Sequence, residues 1–153
     1  MRKFQSYIDL MKIRQKTIGV IPARLAASRF PNKPLEKINN IPMIIHVLNR
    51  AKESKVGEVI VATPDNEILQ IVKHNGGKAI LTSENHHSGS DRIYEAYMKE
   101  LKNNVEIIIN LQGEMPNIKP TSISICTAGS QLPWRLANLL FIRQFAAGEL
   151  ASK

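Results

Sequence analysis

The sequence holds a single cysteine, Cys126, which excludes an internal disulfide and any thiolate zinc cluster and suits a reducing compartment. Aromatic residues make up only 5% of the chain, too few to suggest the stacking surface of a single-strand nucleic-acid binder. No apolar run approaches the roughly 20 residues of a membrane helix, and the basic start "MRKFQSYIDLMKIRQKT" has neither an apolar h-region nor a small-residue cleavage site. Acidic residues are scarce early on: residues 1–55 carry 12 Lys or Arg against 3 Asp or Glu, a net of +9, whereas residues 56–153 carry 9 against 10, a net of −1. Neither a GxxxxGK[ST] loop nor a GxGxxG turn is present. These gaps leave a cytoplasmic globular chain without nucleic-acid or membrane partners, whose positive charge belongs to one segment.

What is present alternates in two periods. "TIGVI" (17–21), "EVIVAT" (58–63), "KAILT" (78–82) and "EIIINL" (106–111) are β-rich and almost continuously apolar, as strands covered on both faces are. Between them Ile44, Val47, Leu48 and Ala51, then Ile68, Ile71 and Val72, then Ile93, Tyr97 and Leu101 recur at helical spacing. Pro42 suits a first helical turn, and Ser88 three residues before Asp91 predicts a capping box. The expected fold is α/β: a Rossmann-like, mostly parallel sheet with helices on both faces, whose ligand lies at the carboxyl ends of the strands.

The loop leaving the first strand, "IPARLAASRFPNKPL" (21–35), carries Arg24, Arg29 and Lys33 among three prolines. Guanidinium forks, an ammonium and backbone N–H groups on a stiff loop are what phosphate oxygens require, and the prolines reduce the order that binding must impose. An ordinary solvated connection is the bland alternative. Two further strand ends, "ATPD" (62–65) and "NLQGEMP" (110–116), bring polar groups to the same edge.

Five motifs in this order, I-P-A-R with its Ser28, Arg29 and Lys-Pro-Leu, then "PMIIHV" (42–47), "IVAT", "HHSGSDR" (86–92) and "NLQG", resemble the 3-deoxy-manno-octulosonate (Kdo) cytidylyltransferases, or CMP-Kdo synthetases, across residues 18 to about 120. The resemblance implies a fold of the nucleotide-diphospho-sugar transferase type. It also implies a reaction that transfers CMP from CTP to Kdo with release of pyrophosphate, for lipopolysaccharide synthesis, with Mg2+ as cofactor. Carried over by position, Arg24 and Lys33 would be catalytic. Arg24, Ser28, Arg29, Lys33, Arg92 and Gln112 would bind the nucleotide, and Glu114 would bind the metal.

Two departures stand beside it. Glu114 and Met115 occupy positions where the family has Q-G-D-E-P, so the metal carboxylate is one methylene longer, and Ala27 stands where serine is common. After about Ser124 the resemblance stops: residues 1–16 read as an N-terminal extension, with Met11 an alternative start, 17–124 as a nucleotide-binding α/β domain, and 125–153 as a divergent segment. In the family that last part supplies a second metal-binding aspartate, most of the sugar-acid pocket and the homodimer interface. The alternative expectation is therefore a truncated, inactive remnant that at most binds nucleotide, with an unpaired sheet edge after its fourth strand. His86 and His87 are adjacent without a third metal ligand at suitable spacing, and His46 reads as packing.

Overall fold

The computed structural model describes residues 17–26, 30–101, 107–128 and 141–143. The chain opens with β1 (Thr17–Pro22) and, after the cationic loop, makes one 3-10 turn (Lys33–Leu35) and a short hairpin of β2 (Lys37–Ile38) and β3 (Ile41–Pro42). Then follow α1 (Met43–Glu53), β4 (Glu58–Thr63), α2 (Asn66–His74), β5 (Lys78–Leu81), α3 (Gly89–Ala96), which continues as a π-helical turn over Tyr97–Leu101, β6 (Ile107–Asn110), α4 (Pro120–Ala128) and β7 (Phe141–Arg143).

The main sheet has the order β5-β4-β1-β6-β7. Its first four strands are parallel, with Val20 opposite both Ile60 and Asn110, and β7 runs antiparallel to β6 with Ile108 opposite Ile142. The unpaired edge expected beyond the fourth parallel strand is thus covered at β6: a three-residue strand from the divergent segment takes its backbone hydrogen bonds. α4 runs on past residue 124 to Ala128.

Alternation along the strands sends side chains to two cores. Ile21, Val59, Val61 and Ile109 pack against α1, α2 and α4 through Ile44, Leu48, Ile68, Val72 and Ile123, while Ile18, Val20, Ile60, Ile80 and Ile108 pack against α3 through Ile93, Ala96 and Tyr97. Every residue of β1 except Pro22 is buried. This double cover makes the strand sequences apolar without alternation, and it fixes β1 as the central strand whose end carries the cationic loop. In the hairpin, Asn39 and Asn40 take positive φ of 50° and 64°, the geometry of a two-residue hairpin turn that asparagine tolerates. Among the described residues no helix is long and apolar enough to cross a membrane.

Candidate functional site

β1 is flanked by β4 and β6, which the chain reaches on opposite sides, so the crevice at the carboxyl ends of β1 and β6 is the switch point of the sheet. A cleft of about 200 Å³ lies there. Arg24 and Lys33 reach it from the β1 loop, Ser88, Gly89 and Arg92 from α3, and Gln112 and Glu114 from the turn after β6. Of the residues expected to meet a nucleotide, the fold brings four together, Arg24, Lys33, Arg92 and Gln112, beside Glu114, the residue expected to meet a metal. Ser28 and Arg29 lie outside the described residues.

The β1 loop is held at its base by backbone bonds. The Ala23 N–H donates to Ala62 O at 3.0 Å, extending the ladder past β1, and the Leu25 N–H donates to Asp65 Oδ2 at 2.8 Å. The far end closes where the Asn32 N–H donates to Leu25 O at 3.0 Å, with Asn32 itself at φ 61°. Asp65 stands at the N-cap position of α2, yet its carboxylate serves the loop 40 residues away and makes no side-chain cap. Arg24 is exposed, lines the cleft and has no hydrogen-bond or ion-pair partner among the described residues.

The opposite wall is the start of α3. Ser88 Oγ accepts from the Asp91 N–H at 3.1 Å while Asp91 Oδ2 accepts from the Ser88 N–H at 3.2 Å, the reciprocal box that the spacing predicts. The Ser88 hydroxyl also donates to Asp91 Oδ2 at 2.7 Å, and this bond, with the Ser88 N–H, holds the Asp91 carboxyl below its ordinary range. A Cβ on Gly89 would sit 3.2 Å from Pro22 Cγ, and one on Gly113 would sit 3.2 Å from Pro22 O, so both glycines let the helix start and the β6 turn close upon the end of β1. The positive end of the α3 dipole therefore faces the cleft.

Arg92 is the buried cation of the site, 2% exposed. Its Nη1 donates to Thr82 Oγ1 at 2.6 Å and to Ser83 O at 3.0 Å, fastening the β5–α3 connection to the helix. Burial pushes its guanidinium below the usual arginine value, and the Arg24 charge acts the same way against Asp65 and Glu95. Glu95, one residue short of the next turn, completes the fastening: it accepts from His86 Nε2, from the Ser83 N–H at 2.8 Å and from Lys99 Nζ at 2.6 Å. Burial disfavours its charge, but the bonds from Lys99, His86 and Ser83 outweigh that and hold the carboxyl down at about 2.

Lys33 and Glu114 meet across the mouth of the cleft, Nζ to Oε2 at 2.7 Å, with side chains 32% and 64% exposed. Among the described residues no group of three or more His, Cys, Asp or Glu is placed to hold a metal ion. Among the described residues Glu114 is the one carboxylate lining the cleft, and one of its oxygens is engaged by an ammonium, so this donor set does not by itself form a magnesium site.

Sequence reasoning passes over three contributors. Asp65 lies in a strand end noted only as polar, and its bond to Leu25 follows from β4 lying beside β1. His86 and His87, unpromising as metal ligands, line the cleft, and His86 is bound to Glu95 nine residues on. His46 Nε2 donates to Ile38 O at 2.9 Å, tying α1 to the hairpin.

Comparison with known proteins agrees with this geometry. A curated 3-deoxy-manno-octulosonate cytidylyltransferase of Brucella anthropi is 50% identical over 109 residues, which cover 71% of this chain and 44% of that protein. A solved CMP:2-keto-3-deoxy-manno-octonic acid synthetase complexed with CTP superposes with a TM-score of 0.69 at 45% identity, covering 74% of this chain and 46% of that one. At 12% identity and a TM-score of 0.54, a Mycobacterium tuberculosis protein, Rv0371C, solved in complex with manganese, shares the fold alone, over 74% of this chain and 58% of that one. The chain thus spans less than half the length of the curated relatives it matches. With residues 18–128 matching the model of the cytidylyltransferase family, a mostly parallel sheet of the family's type and the cleft at its switch point, the chain belongs to the cytidylyltransferases.

Proposed function

We propose that this chain provides the CTP-binding part of a cytoplasmic enzyme that transfers CMP from CTP to Kdo. In that reaction the acceptor's anomeric hydroxyl forms a new bond to the α-phosphorus, the bond to the β-phosphate oxygen breaks, pyrophosphate leaves and the hydroxyl proton passes to solvent. The observation that carries the reading is the convergence of Arg24 and Lys33 from the β1 loop and of the α3 N-terminus, two separate stretches of sequence, on one cleft at the ends of β1 and β6.

Arg24 offers a two-pronged donor to phosphate oxygens, Lys33 an ammonium, and the Gly89 amide the end of a helix dipole. Negative charge moves toward the leaving pyrophosphate as the α–β bond breaks, so cations fixed on that side favour the transition state over the bound substrate. Gln112 donates and accepts at the end of β6, where a base or sugar hydroxyl would be oriented, and Arg92 keeps the loop before α3 in place. The likeness to the CTP-bound synthetase, at 45% identity, supports cytidine as the nucleoside. If Mg2+ accompanies such a triphosphate, Glu114 would be the cleft carboxylate available among the described residues to hold it, and the ion would supply charge neutralisation at the phosphates; in this structure Glu114 is paired with Lys33.

Calorimetry should give CTP binding in preference to ATP, weakened by about 1.5–3 kcal/mol in Lys33→Ala, the scale of a hydrogen bond to a charged group. Equal CTP affinity in wild type and variant would remove the loop from the site. Pyrophosphate release from CTP, Mg2+ and Kdo measures turnover; CTP binding without release would favour the alternative, a chain that binds nucleotide and does not catalyse.

A further inference from the structure

We propose that Glu114 is a built-in competitor for the polyphosphate: it holds Lys33 while the cleft is empty and gives it up when the anion arrives. The inference rests on the reading of the cleft as a polyphosphate site, and it assigns Glu114 a role apart from metal binding.

The pair bridges the two loops that flank the switch point. Lys33 opens the 3-10 turn after the cationic loop, and Glu114 lies 81 residues later in the turn after β6. Both positions are fixed by backbone. The Glu36 N–H donates to Lys33 O at 3.2 Å, the Met115 N–H donates to Gln112 O at 3.3 Å, and Gly113 packs under Pro22 O. The two charged groups are thus presented to one another across the mouth, and the 2.7 Å bond spans it. With both side chains partly exposed, such a pair is weak, because water screens it. A triphosphate bearing several negative charges can displace it, and Arg24, which has no partner among the described residues, adds to the pull. In the empty cleft Lys33 is neutralised and held; in the occupied cleft Glu114 is released toward solvent, where its exposure places it at little cost. The affinity for polyphosphate is then set by a competition inside the protein, and a neutral residue at 114 should bind the anion more tightly than the native carboxylate does.

The test is titration calorimetry of the full chain with inorganic tripolyphosphate in excess EDTA, comparing wild type, Glu114→Gln, Lys33→Met and the double variant. Glu114→Gln should tighten binding about three- to fivefold, the effect of freeing Lys33 from a partly exposed ion pair. In the Lys33→Met background the same substitution should change affinity less than about twofold, because the competition needs the ammonium. Equal affinity of wild type and Glu114→Gln overturns the competitor. An undiminished gain without Lys33 also overturns it, since Glu114 then acts only as a like charge facing the anion. No binding by any of the proteins, with native far-UV dichroism retained, overturns the polyphosphate reading of the cleft and the competitor with it.

Discussion

The two walls of the cleft carry the same charge and use it differently. On the β1 side Arg24 is exposed and without a partner among the described residues, and Lys33 is held by one weak pair; on the α3 side Arg92 is buried and spends its hydrogen bonds on Thr82 and Ser83. A basic residue in a motif can therefore be a hand for the ligand or a clasp for the loop, and burial with its partners decides which. Burial raises the stakes of removal, because the groups a buried arginine satisfies are left without donors.

That contrast is broken most forcefully by Arg92→Ala. The variant leaves Thr82 Oγ1 and Ser83 O unsatisfied and opens a void beneath α3, so unfolding in urea should show a loss of about 2–4 kcal/mol. Arg24→Ala should be its mirror image. Stability should stay within about 0.5 kcal/mol, as at an unpartnered surface site, while CTP affinity falls by about 1.5–3 kcal/mol. If Arg24→Ala unfolds the protein, or Arg92→Ala lowers affinity with stability intact, the division of labour between the walls is wrong.

Much of this was readable from the chain. The four parallel strands, the three helices between them and the capping box at Ser88 lie where the apolar runs and spacings put them, because residues buried on both sheet faces leave a continuous apolar signature. The cationic loop fell at the cleft because β1 ends there. Three things were not readable. The hairpin strands are two residues each, too short for any alternation to register, although the Asn39–Asn40 turn left a trace. β7 is three residues in a stretch with no matching period, and its place against β6 is a tertiary fact. The partners of Arg92, Asp65 and Glu114 are likewise set by which strands are neighbours, so residue type alone could name a cation or a carboxylate but could not say whether it was free.

The smallest expected effect sharpens the α3 wall further. Glu95 is the acceptor through which His86, Ser83 and Lys99 are tied to the helix, and its carboxyl is held at about 2 against an ordinary 4.5. A carboxyl depressed on folding binds fewer protons in the native than in the unfolded state between those two values. Its contribution to stability is therefore present in full above about pH 5 and is lost as the pH falls toward 2. Glu95→Gln removes that charge while keeping one acceptor oxygen, so at neutral pH it should cost about 1 kcal/mol, less than Arg92→Ala. The distinguishing sign lies on the acid limb: between pH 5 and pH 2 the stability of Glu95→Gln should fall less steeply than that of wild type, and the two curves should converge near pH 2. Parallel curves over that range, followed by urea unfolding at half-unit steps, would mean that the clasp on the β5–α3 connection is carried by Arg92 alone and that the Glu95 carboxylate contributes no net charge interaction to the fold.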